Sequence, residues 1–218
     1  MHRPPDAPPM IRTDTSNPFA HDTMRRRVPA ILRETAALNP DYPAAMRNDL
    51  ERLAADMEAN APVPMLALPA PDYAMWAALY RQHNPAGWLA TEWFFAEFYA
   101  YRLLMQITRW WETGRDPFAP HKAQDYDSGQ PWQLLARAFE DSDAPPEDRL
   151  HSALTFALWS NRIDLSLATA MAHGGESTHA DDLLADDRAA AVERLLSASG
   201  PVHVVADNAG TELTLDLA

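Results

Sequence analysis

The segment Val202-His203-Val204-Val205-Ala206-Asp207-Asn208-Ala209-Gly210-Thr211-Glu212 sets a carboxylate and an amide side by side, directly after a β-branched apolar run. If that run is a strand of an open parallel sheet, Asp207 and Asn208 stand at its carboxyl end, where such sheets bind ligands. Their side-chain oxygens are hard donors, suited to Mg, Mn or a similar divalent cation. The helix expected after the turn presents free backbone N–H groups that attract phosphate. Glu212 lies near that helix end, as a cap or a base. The same residues also read as an ordinary Asp-Asn turn.

A second constellation lies at residues 92–102, where Glu97 and Tyr101 are four apart on one helix face and Arg102 adjoins them. Polar groups on a buried helix are either paired or line a cavity. Arg102 and Glu97 therefore read either as a satisfied core ion pair or as an anion pocket in which Arg102 meets phosphate and Glu97 orients it. A third stretch, residues 159–166, carries Asn161 and Asp164, and Asp164 also reads as the N-cap of a following helix. Other chemistries find no support. No Gly-rich turn follows the apolar run, so dinucleotide and P-loop fingerprints are missing, and there is no Gly-x-Ser-x-Gly elbow. With no Cys, thiolate nucleophiles, thiolate metal sites and disulfides are excluded.

The elements that must position these groups are mostly helices. Residues 1–18 are Pro-rich and polar and read as a flexible tail. A helix capped by Asp22 or Thr23 is expected to run toward Ala37, with a kink or a late start at Pro29. Residues 44–58 repeat apolar side chains at helical spacing, 61–71 form a Pro-rich loop, and 71–83 return to a helix. Residues 91–112 predict one long helix with aromatic residues all around it, hence buried. Residues 116–130 read as a polar connection. Helices follow over 131–139, 146–161, 163–173 and 186–198. Residues 202–206 predict a buried strand and 211–218 a final helix. The expected organisation is a helical region over 19–198 and, over 199–218, the first strand-turn-helix of an α/β/α Rossmann-like domain, incomplete as it stands because one strand makes no sheet.

The chain has 218 residues, 47% of them apolar, enough to build a sizeable core. Its formal charge of -13 opposes binding to nucleic acid or to anionic membranes. The most apolar stretch, 88–111, carries Glu92, Glu97, Arg102 and Arg109, too many charges for a membrane span. No apolar signal run opens the chain. The expectation is a cytoplasmic protein without nucleic-acid or membrane partners, its oligomeric state open.

Six stretches, in order, resemble the damage-control phosphatase family, in the branch named after a putative acidic-residue methyltransferase. They are Phe19-Ala20-His21-Asp22-Thr23 with Arg27-Val28-Pro29 and Ile31; Trp93-Phe94-Phe95-Ala96-Glu97 with Tyr99, Tyr101 and Arg102; Asp116-Pro117-Phe118 with Lys122; Leu158-Trp159 and Asn161 with Asp164-Leu165-Ser166; Leu183-Leu184 with Asp186-Asp187; and Val204-Val205 and Asp207-Asn208 with Gly210, Glu212 and Leu213, then Asp216-Leu217. The resemblance implies helices packed on an α/β/α domain. It also implies hydrolysis of small phosphometabolites, such as the sugar phosphates of fructose, dependent on a divalent metal (Mn, Co, Ni or Mg). Asp207 and Asn208 would be metal ligands, Asp207 also catalytic, and Glu97, Arg102, Asn161 and Asp164 would bind substrate. A further family ligand and a phosphate-holding Arg-Thr motif with its Lys are expected beyond Ala218, so the chain alone is expected to turn over weakly or not at all. The alternatives are a protein carboxyl methyltransferase and a non-catalytic acidic helical interaction module.

Overall fold

The computed structural model describes residues 8–139, 143–162, 183–205 and 209–217. The chain divides into two compact units, Met1–Pro120 and His121–Ala218, and the described residues are mostly helical.

In the first unit α1 (Pro18–Asp22) begins with Pro at its first position and is capped by Asn17, whose side chain accepts the Ala20 N–H at 3.0 Å. A π-helical turn (Thr23–Arg27) follows, and α2 (Val28–Leu38) continues from it with Pro29 in its first turn. The kink expected at Pro29 is thus met by a widened turn just before it, where the missing proline N–H breaks no regular ladder. Helix α3 (Ala44–Glu58) buries Leu50, Leu53, Ala54 and Met57, one stripe at spacings of three and four, and packs on α2. Helix α4 (Tyr73–His83) ends on Asn84 in the left-handed conformation, whose N–H closes onto the Tyr80 carbonyl at 2.9 Å.

Helix α5 (Trp93–Ile107) is the centre of the unit's core. Phe95, Ala96, Tyr99, Ala100, Leu103 and Leu104 are buried with Met24, Val28, Leu32 and Trp88 around them. Two expectations for this segment need correction. It is not buried on all sides, because Phe94 and Phe98 stay exposed. Nor is it one helix to residue 112. The Thr108 hydroxyl donates back to the Leu104 carbonyl at 3.0 Å, Arg109 takes a positive φ of 55°, and a separate short turn, α6 (Trp110–Thr113), follows. Ahead of α5, within the stretch read as a tail, Arg12 and Glu92 form an antiparallel bridge and buried Thr13 donates its N–H to Thr91.

Residues 116–130, read as a connection, contain α7 (Ala119–Asp127). In the second unit α8 (Gln130–Ala138), α9 (Pro146–Arg162), α10 (Arg188–Ser197) and α11 (Thr211–Asp216) follow. Leu134 of α8 and Leu215 of α11 are buried against each other, with Phe156 of α9 packed on them. Arg188 at the start of α10 donates to Asp186 and to the Thr155 hydroxyl of α9. The helix expected over 163–173 lies outside the described residues. Of residues 202–206, read as a buried strand, 202–205 are described; they belong to no strand among the described residues, and Val202, Val204 and Val205 are exposed. A strand is stabilised by a ladder partner, and no described residue pairs with this run.

Candidate functional site

Helix α5 brings Glu97, Tyr101 and Arg102 together in the first unit. Arg102 is only 4% exposed and makes a two-pronged pair with Asp72, Nε to Oδ2 at 2.8 Å and Nη2 to Oδ1 at 2.9 Å. Asp72 directly precedes α4 and was not singled out in the sequence, since a partner 30 residues away leaves no local signal. The Arg102 guanidinium also lies 5.5 Å from the Trp111 ring centroid. Its third nitrogen, Nη1, is buried without a hydrogen-bond partner among the described residues. Glu97 is half-buried and does not pair with Arg102. Burial, and then the Glu97 charge, push the Tyr101 phenol above its ordinary range. The core ion pair expected for Arg102 therefore exists, with Asp72 rather than Glu97 as its acid.

Of the other sequence candidates, Asn161 lies near the C-terminal end of α9. Asp164, Asp207 and Asn208 lie outside the described residues. What is described next to the last two is the turn that follows them. Gly210 precedes α11 with an extended backbone, φ 163°. Thr211, only 4% exposed, donates its backbone N–H to Asp125 Oδ2 at 2.7 Å and its hydroxyl to Asp125 Oδ1 at 3.0 Å. Asp125 lies on α7, 86 residues away in sequence. The only hint of it was that Gly210 has no side chain to cap α11, which leaves the helix start to be satisfied from elsewhere.

A third arrangement was also missed. His83, at the end of α4, stacks on Phe95 with ring centroids 4.5 Å apart, and its Nδ1 lies 2.8 Å from Glu92 Oε2. The pair lines both a polar cavity of about 510 Å³, with Arg12, Asn84 and Thr91, and an apolar one of about 200 Å³, with Trp76, Phe94 and Phe98. Among the described residues no group of three or more His, Asp or Glu side chains is placed to hold a metal ion. None of their helices is long and apolar enough to cross a membrane.

The chain matches, over residues 23–218, the model of a phosphatase-type family, one that is metal-dependent in general. The chain belongs to the damage-control phosphatase ARMT1-like domain family. No curated protein matches it.

Proposed function

We propose that this protein is a divalent-metal-dependent phosphomonoester hydrolase acting on small phosphometabolites such as the sugar phosphates of fructose. The observation that carries this reading is the family match, which runs through Asp207 and Asn208 and nearly all of the chain. The strand-turn-helix expected over 202–218 is part of the same reading, as the opening of the metal-binding domain. A carboxylate and an amide oxygen are the donor types that hard cations such as Mn, Co, Ni or Mg accept, and Asp207 and Asn208 would hold one. Bound there, the ion supplies Lewis-acid stabilisation of phosphoryl oxygens.

The chain's own residues contribute binding and orientation. Asp72 fixes the Arg102 guanidinium by two of its nitrogens, leaving Nη1 as a donor without a partner among the described residues. A buried donor left in that state costs about 1–3 kcal/mol, and an anionic phosphoryl oxygen would satisfy it with a charge-assisted bond. Glu97, Asn161 and Asp164 are the other residues we propose to bind substrate.

The test is turnover of a panel of sugar phosphates by the full chain with each of Mn, Co, Ni and Mg. Asp207→Ala is expected to abolish the metal-stimulated turnover while the far-ultraviolet circular dichroism stays that of the wild type. Equal metal-stimulated turnover in the two proteins would overturn the assignment.

A further inference from the structure

Helix α5 leaves two of its aromatic rings open to solvent. Phe94 and Phe98 are exposed and stack on each other, with ring centroids 6.2 Å apart. They are one helical turn apart and so share a face. Open apolar surface with polar groups at its rim marks an interaction site or a ligand groove. Here the two rings, with Trp76 of α4 and the buried Phe95, line the apolar cavity of about 200 Å³ in the cleft between α4 and α5.

Two polar residues of the same lining, His83 and Glu92, decide what the cleft would take. A carboxylate is costly to place against apolar rings unless it is paired. Glu92 is nevertheless only 18% exposed, with its Oε2 held 2.8 Å from His83 Nδ1. A carboxylate has no hydrogen to give, so Nδ1 donates, and with a neutral imidazole the pair keeps the whole negative charge of Glu92. His83 lies 17° from parallel on Phe95, which fixes the imidazole and, through it, the carboxylate. The second oxygen, Oε1, has no hydrogen-bond donor among the described residues. A fixed carboxylate among aromatic rings is the combination that receives an organic cation, the acid by its charge and the rings by their quadrupoles. A bare metal ion is not served by it, since one carboxylate is too few oxygens for a hard cation.

We propose that the α4–α5 cleft binds a small free organic ammonium ion, its alkylated head among Trp76, Phe94 and Phe98 and its charge against Glu92. At about 200 Å³ the apolar cavity is smaller than the roughly 300–1,000 Å³ of a whole ligand site, so it admits a head group only. The polar cavity of about 510 Å³, which His83 and Glu92 also line, takes the hydrogen-bonding remainder of the molecule. The formal charge of -13 raises the local concentration of any cation at this surface. The site is separate from the phosphate donor Arg102, which follows Glu92 by about 15 Å along the axis of α5.

The experiment is calorimetric titration of choline into the full chain at fixed ionic strength and about pH 8, where a histidine is ordinarily neutral. The uncharged alcohol in which carbon replaces the choline nitrogen is titrated beside it. Choline is expected to bind at least roughly tenfold more tightly than the alcohol. Glu92→Gln, which keeps an acceptor for His83, is expected to weaken choline roughly tenfold and to leave the alcohol unchanged. Phe98→Ala, at an exposed position, is expected to weaken choline about 2–5-fold. If Glu92→Gln does not fold, the choline-to-alcohol comparison and Phe98→Ala decide. Choline that binds no better than the alcohol, or not at all, would overturn the proposal. So would choline binding that both variants retain in full, since the cation would then sit on the acidic surface at large. A trimethyllysine peptide that binds where choline does not would overturn the free ligand and make the cleft a protein-docking site.

Discussion

Arg102 shows what a single buried charge requires. Its guanidinium is 4% exposed, while the Asp72 carboxylate that neutralises it is 22% exposed. Removing one partner of a buried pair leaves the other charge uncompensated, at about 3–5 kcal/mol. Because Asp72 is partly solvated, Asp72→Asn belongs near the lower end, and we expect it to destabilise the protein by about 3 kcal/mol. Urea unfolding measures this as a lower midpoint at an unchanged slope. A loss below about 1 kcal/mol would put the pair in the range of surface ion pairs. That Arg102 needed a partner was legible in the sequence, from a charge on an apolar helix. That the partner is Asp72 was not, because the pairing depends on how α4 and α5 pack. Asp125 repeats the lesson at the other end of the chain: Glu212 was read as a cap near that helix start, but the carboxylate that accepts from Thr211 is Asp125, 86 residues away, which only the fold could show.

At the scale of elements, the Pro-rich loop before α4 is the instructive case. Its prolines have no N–H and it joins no ladder among the described residues, and the two helices beside it satisfy much of its backbone. The Tyr99 hydroxyl accepts the Leu66 N–H at 3.0 Å and donates to the Pro64 carbonyl at 3.1 Å, Tyr80 donates to the Val63 carbonyl at 2.7 Å, and Gln106 accepts from Ala67 and Leu68. Tyr99→Phe leaves a buried donor and acceptor unpaired, and we expect a loss of about 1–3 kcal/mol, with faster amide exchange at Leu66. Burial also pushes the Tyr99 phenol from 10.0 to about 12. A raised folded value means that the neutral form is favoured by folding. This contribution is fully present below pH 10 and is lost as pH rises toward 12. The wild type should therefore lose more stability than Tyr99→Phe across that interval, and parallel pH profiles would contradict the role given to the hydroxyl. The loop itself, α3 and α4 were legible because proline content and apolar spacing are local. The break between α5 and α6 was not, since it comes from Thr108 bonding back into its own helix. The strand expected over 202–206 was read from its valines; residues 202–205 pair with no strand among the described residues, and β-branched residues make a strand only where another strand receives them.

For the whole molecule the dominant electrostatic fact is a formal charge of -13, from 31 acidic against 18 basic residues. Such a surface concentrates any divalent cation weakly, through its field rather than through a site. Stabilisation by metal is therefore informative only against a control of equal charge and ionic strength. A ligand bound only by the native state adds about 2.7 kcal/mol when its concentration is 100 times its dissociation constant. For a chain of this size that is a rise of roughly 5–10 °C in the unfolding midpoint. We expect Mn²⁺ at that excess to give such a rise in the wild type, a chelator to reverse it, and Ca²⁺ at the same concentration to give less. The Asp207→Ala protein has almost the same surface field, so its response to Mn²⁺ should fall to the Ca²⁺ level. If the variant and the wild type rise equally, the cation is held by the acidic surface at large and Asp207 is not its ligand. If Ca²⁺ matches Mn²⁺ in the wild type but fails in the variant, Asp207 remains a ligand of a site that does not choose between hard cations. Differential scanning calorimetry on the two proteins at fixed ionic strength separates these outcomes, because the field is common to both while the ligand oxygen is not.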